Sequence, residues 1–265
     1  MKSVVQFLRN AWMPAVVFLG VVAIWQIVVI AFKIHPIVLP SPMAVLQSGW
    51  ERREVLFRGA WITSLAALVG FVTSVLVGTL IAILFSQSVR IRTALYPYVI
   101  FLQTVPIVAI APLLIIWSGY NFRTIVLVTV IISVFPIIAN VTAGLISIDK
   151  NLRDLFTLYS ASRWQTLVKL RIPAAIPHLV IGMRISCGLA VVGAIIGELF
   201  VGSGGAYEGL GTIMTKWQAR NLTSALIAAV LVSTIIGVAF FVGVNLFSRT
   251  ALRRWTVGTN FESER

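Results

Sequence analysis

Apolar residues in this chain come in long unbroken runs, not in the alternation of a half-buried strand. Six runs reach the ~18 residues that carry a helix across a bilayer: roughly 14–32, 62–85, 95–118, 124–148, 174–201 and 223–248. The second holds no charge, and the third and fourth hold none either, with Gln103 and Asn140 as their amide side chains. The pattern predicts an all-α polytopic membrane protein with about six transmembrane helices. It divides into a first span with the loop that follows (1–61), a core of five spans (62–249) and a tail (250–265).

Two polar segments interrupt the runs. In the loop 33–61, Ser41-Pro42 reads as a helix start, with serine as cap and proline at the first helical position. Met43, Leu46, Trp50 and Phe57 then fall near one face, as in a helix lying along a membrane surface. Between the fourth and fifth runs, Leu152, Leu155, Phe156 and Tyr159 keep the i, i+3, i+4, i+7 spacing of one helical stripe. Arg153, Asp154, Thr157 and Ser160 take the other sides. A second helical piece carries Trp164, Leu167, Val168 and Leu170, with the small residues Ser160-Ala161-Ser162 as the turn between. Pro173 and Pro177 then reset the chain as it enters the fifth run, Pro173 being tolerable at a helix start. A stripe this small cannot fold alone. It docks on the bilayer, on the rest of the chain, or on a partner.

Composition agrees with the membrane class. Of 265 residues, 59% are hydrophobic and 11% charged, with mean hydropathy +0.99, whereas soluble domains carry about 25% charged residues. The net charge of +13 would suggest nucleic acid in a soluble protein, but no aromatic-basic repeats accompany it. Lysine and arginine instead set topology. With both ends inside, thirteen fall in inside segments and seven in outside ones. That orientation puts both termini and the segment 149–173 in the cytoplasm. The N-terminal run is longer than a signal-peptide core, which predicts a retained first span.

Cys187 is the sole cysteine, so no internal disulfide forms, and His35 and His178 are isolated, so no metal site is expected. "GSGGAYEGLG" (202–211) lacks the lysine and Ser/Thr of a phosphate loop, and no segment matches G-x-x-x-x-G-K-[ST]. The chain is therefore expected to be no ATPase and to have no catalytic residues. Its energy must come from another polypeptide.

Within the spans, Pro97, Pro106, Pro112 and Pro136 interrupt helices. Such kinks either shape packing or line a pathway that moves. Glycines 70, 78, 182, 188, 193 and 197 allow close helix contact. Arg184 and Glu198 are the charges of the fifth run, about 21 Å apart along a helix. They either face a cavity or a partner, or reach to their nearer interface. A carboxylate repels an anionic solute, so Glu198 fits a gate or a cap on a helix contact. Gln103, Pro106, Asn140, Arg184 and Glu198 are the candidate pathway positions.

The segment opening at Asp154 resembles the EAA loop of binding-protein-dependent ABC importer permeases: E-A-A, three residues, G, nine residues, I-x-L-P. Asp154, Leu155, Phe156, Ser160, Leu170, Ile172 and Pro173 occupy the matching positions with unchanged spacing. Ser160 replaces glycine, which takes φ > 0 more easily. "SASRWQTLVKLRIPAAIPHLVIGMRIS", "LPSP" (39–42), "VPIVAIAPLLIIWSGY" (105–120) and "EGLG" (208–211) resemble the nitrate/sulfonate/taurine-type branch. The resemblance implies a type I, MetI-like permease core in the inner membrane. It implies a coupling helix seated in a cleft of a cytoplasmic ABC ATPase dimer, which binds ATP and Mg. It further implies a second permease copy, as in a homodimer, and an extracytoplasmic solute-binding protein. Phe156 and Tyr159 would be docking knobs and Asp154 and Arg163 polar rim contacts, with Ser160, Ala161, Leu170 and Pro173 shaping the loop. The solute class would be nitrate, sulfonate, taurine or a pyrimidine precursor. A self-sufficient secondary transporter or channel is the alternative. It calls for mid-span acids and internal repeats, and the sequence has neither.

Overall fold

The computed structural model describes residues 2–202 and 207–251. Part of the 202–211 loop and most of the 250–265 tail therefore lie outside the described residues. The described chain is helical: α1 (Lys2–Ala31), α2 (Pro42–Glu51), α3 (Arg53–Gln87), α4 (Val89–Thr104), α5 (Ile107–Ser118), α6 (Phe122–Ile146), α7 (Lys150–Leu158), α8 (Arg163–Thr166), a π-turn (Leu167–Arg171), α9 (Ile172–Val201), α10 (Leu210–Ala219) and α11 (Thr223–Ala251). Among the described residues, four helices are long and apolar enough to cross a bilayer: α3, α6, the continuous Arg163–Val201 and α11. The first run lies in α1, whose described apolar stretch, Ala15–Ala31, is shorter.

The third run, expected as one span over 95–118, is not one straight helix. It forms two helices, α4 and α5, bent by 99°. The cause is local. Pro106 has no N–H to continue α4, and its ring drives Val105 out of the helical region to φ −70, ψ 126. Pro97 and Pro112 stay inside their helices.

The chain falls into two compact units. One comprises residues 1–57 and 213–232. Here Ser41 caps α2 by accepting from the Ala44 N–H at 3.2 Å, with Pro42 at the first helical position. Val45 is the buried residue of α2, while Met43, Leu46 and Trp50 are exposed. Ser48 and Ser224 share a hydroxyl hydrogen bond at 2.7 Å, and Thr223 donates to the Ile37 carbonyl at 2.6 Å. The loop ends earlier than 61. Helix α3 begins at Arg53, with Glu54 in its first turn, and takes in Phe57.

The other unit comprises 58–212 and 233–265. Its centre is α6 against α9, with α3 alongside. Gly193 and Gly197 let the backbones meet: an added Cβ would lie 2.8 Å from Thr129 Cα and 3.0 Å from Ile125 Cα. Gly188, expected to do the same, faces open space. Three fully buried serines pin the helices in register. Ser74 of α3 bonds Ser133 of α6 at 2.7 Å, and Ser186 of α9 donates to the Ser133 carbonyl at 2.5 Å. Hydroxyl pairs of this kind hold helices where lipid gives no hydrophobic drive for association. Around them Phe71, Ile137, Leu145, Met183 and Val244 form the buried cluster.

Candidate functional site

The segment 150–173 has two halves with opposite burial. In the outer half, Asp149 caps α7 by accepting from the Asn151 N–H at 2.7 Å. No residue of α7 is buried. Leu155 is exposed and Phe156 half-buried, while Tyr159 is 80% exposed. Leu158, outside the expected stripe, is exposed at 83%. An amphipathic helix that leaves these groups bare needs a partner surface to cover them.

The turn after α7 closes as a Schellman motif. Ala161 donates to the Phe156 carbonyl and Ser160 to the Thr157 carbonyl, both at 2.9 Å. Ser160 takes φ 51, the left-handed region. Serine thus occupies the conformation for which the family pattern keeps glycine. Ser162 then starts α8 with a capping box: its hydroxyl accepts from the Gln165 N–H at 3.2 Å, and the Gln165 side chain accepts from the Ser162 N–H at 2.8 Å. Asp154 and Arg163 are exposed and make no ion pair among the described residues.

The inner half is anchored. Leu167, 5% exposed, enters the buried cluster of the bundle, and Leu170 is also buried. Arg171 donates to the Ser86 carbonyl at 2.5 Å, filling an acceptor in the last turn of α3. The sequence pattern does not point to this contact, because Arg171 holds the unspecified x of I-x-L-P. Pro173 is the second residue of α9, at the start of that helix as expected, but the chain does not break before it. Helix runs unbroken from Arg163 to Val201. The π-turn accommodates the prolines, with the Ile172 N–H reaching Leu167 five residues back. One wide turn absorbs the donor that Pro173 cannot supply.

The five pathway candidates separate. Gln103, with Val105 and Ile107 flanking Pro106, shares a 330 Å³ cavity with Phe135 and Pro136 of α6 and Leu189 of α9. Asn140 sits outside it, its amide donating to the Pro136 carbonyl at 2.8 Å. Arg184 is half-buried, and its Nε has no partner among the described residues.

Glu198 is 0% exposed and does not line that cavity. Its Oε2 accepts from the Thr63 hydroxyl and from the Gly211 N–H, both at 2.9 Å. Thr63 accepts in turn from the Leu210 N–H at 2.9 Å. Glu198 thus neutralises the N-terminus of α10, where a carboxylate complements the free N–H groups and the helix dipole. An added Cβ at Gly209 would overlap the Glu198 carboxylate. The glycines of "EGLG" make room for this acid, and that is the sequence signal for the cluster.

Residues 74–255 match the profile of the family described as binding-protein-dependent transport system inner membrane component. The chain is 31% identical over 232 residues to the formylaminopyrimidine transport permease protein ThiX of Halalkalibacterium halodurans, covering 87% of this chain and 91% of that one. It is 27% identical to the putative aliphatic sulfonates transport permease protein SsuC of Bacillus subtilis, covering 92% and 88%. It is 27% identical to the nitrate import permease protein NrtB of a Synechocystis species, covering 84% and 83%. Among solved structures, the inward-facing MetNI methionine ABC transporter shares the fold at TM-score 0.54 and 21% identity, over 74% of this chain and 97% of that one.

Proposed function

Since the chain belongs to the inner-membrane components of binding-protein-dependent transport systems, and is the permease of an ABC importer, we propose that it admits a small solute by alternating access driven through the segment 150–173. The motor is a separate cytoplasmic ABC ATPase dimer that binds the ATP and Mg. This chain contributes no ATPase site. A solute-binding protein delivers cargo from outside, and a second copy of the chain completes the membrane part. Both termini face the cytoplasm of a bacterial inner membrane.

One observation carries the reading. The outer half of the segment presents Leu155, Leu158 and Tyr159 to solvent, while the inner half is locked into the bundle through Leu167, Leu170 and Arg171. A helix bare on one side and rigidly rooted on the other is suited to transmit a push. Phe156 and Tyr159 serve as apolar contacts for the ATPase cleft, and Asp154 and Arg163 as its polar rim. The relatives are named for formylaminopyrimidine, sulfonates and nitrate, so the solute belongs to that class: a small anion such as nitrate, a sulfonate such as taurine, or a pyrimidine precursor. Gln103 and the bend at Pro106 line its route.

The test is co-purification of the ATPase with the tagged permease. Tyr159→Asp and Phe156→Asp are expected to lower the recovered ATPase at least tenfold while leaving the permease folded. Recovery unchanged in both variants would sink the coupling role.

A further inference from the structure

A second cavity lies apart from the coupling segment. One face of α4 (Arg92, Thr93, Tyr96, Pro97) and one face of α6 (Ala139, Thr142, Ala143, Ile146) enclose about 430 Å³. It is distinct from the cavity that holds Gln103.

Its polar groups are unspent donors. Thr142 is 3% exposed, and its hydroxyl has no partner among the described residues. That is unusual within this helix. Thr129 and Ser133 donate back to the carbonyl four residues earlier, at 2.8 and 2.7 Å, the habit of buried hydroxyls in helices. Thr142 does not, and a buried hydroxyl without a partner calls for one. Arg92 is half-buried and has no carboxylate partner among the described residues. Tyr96 is held by an edge-on contact with Phe85, ring centroids 6.1 Å apart, and its hydroxyl bonds nothing among the described residues. No acidic residue lines the space.

The end of α6 turns carbonyls toward this region and the start of α4 turns N–H groups toward it, so the two helix dipoles oppose. The full charge of Arg92 therefore decides the sign. One guanidinium and three hydroxyls around a concave space match the acceptor oxygens of a phosphate, sulfonate or carboxylate.

We propose that this cavity is an oxyanion site, with Arg92 as the charge and Thr142 and Tyr96 as orienting donors. The oxyanion comes either from a lipid headgroup, since the site opens at the polar end of α4, or from a free solute.

The full-length chain is purified in dodecyl maltoside without phosphate. In one arm, native mass spectrometry counts phosphatidylglycerol retained after graded delipidation. In the other, equilibrium dialysis with radiolabelled inorganic phosphate measures binding to the delipidated chain. At least one arm is expected to show saturable binding that weakens tenfold or more in Arg92→Gln and threefold or more in Thr142→Val. Retained lipid identifies the headgroup as the source, and phosphate uptake identifies the free anion. Should Arg92→Gln melt below the wild type, the near-isosteric pair Thr142→Val and Tyr96→Phe decides between site and no site. Absence of binding in both arms, or binding unchanged by these substitutions, overturns the proposal.

Discussion

Thr63 and Glu198 lie 135 positions apart and meet through a 2.9 Å hydrogen bond in full burial. The same carboxylate oxygen takes the Gly211 N–H, so one acid joins α3, α9 and the start of α10. Glu198→Ala strands two buried donors, each costing about 1–3 kcal/mol. The variant is expected to lose about 2–4 kcal/mol and to show a clearly lower Tm in detergent. Glu198→Gln keeps an acceptor oxygen and is expected to lose less than half of that. Equal Tm values for Ala and wild type would remove the clamp.

Gly209 tests the same contact from the other side. A methyl there falls on the Glu198 carboxylate. Gly209→Ala is expected to cost about 1–3 kcal/mol, the range for forced overpacking. In the background of Glu198→Ala the penalty should shrink, which a double-mutant cycle of thermal unfolding would read.

Ser160 holds φ 51 at the Schellman turn after α7. A left-handed residue with a side chain carries about 1–2 kcal/mol of steric cost that glycine avoids. Ser160→Gly is therefore expected to leave ATPase recovery intact and Tm unchanged or raised. Ser160→Val, β-branched, should distort the turn and lower ATPase recovery severalfold in the same pull-down.

Arg171 ties the root of the loop to the Ser86 carbonyl. Arg171→Ala should keep the ATPase bound while reducing the work it does. The readout is solute taken up per ATP hydrolysed in proteoliposomes, with a drop of at least threefold expected. A ratio equal to wild type would show that α3 receives no force through this contact.

Gly193 meets the Thr129 backbone, one of the places where α6 and α9 pack backbone to backbone. Gly193→Leu should push the helices apart and abolish stable expression, whereas Gly188→Leu, facing open space, should be tolerated. Fluorescence-detected gel filtration of tagged variants separates the two outcomes.

Much of this fold is legible in the sequence because a bilayer demands long apolar runs, and the runs at 62–85, 124–148 and 223–248 each fall largely or wholly within one helix. The two-piece loop, with its turn at Ser160-Ala161-Ser162, follows from stripe spacing and small residues. The bend at Pro106 is harder to read. Pro97 and Pro112 lie inside helices while Pro106 ends one, and the difference rests on tertiary packing that proline content does not encode. The Glu198 cluster is equally non-local: its partners Thr63 and Gly211 come from other helices. Arg171 is one basic residue among several until the fold sets it beside the end of α3. Leu158 escapes the stripe because the period selects Tyr159 next to it.

The break between α4 and α5 has a solvation consequence. Pro106 cannot return a proton to the carbonyl of Leu102, a residue that borders the space beside Gln103. Oil offers that oxygen nothing. The corner of the bend therefore calls for a donor that the backbone does not supply, from a neighbouring side chain or from water in the adjoining cavity.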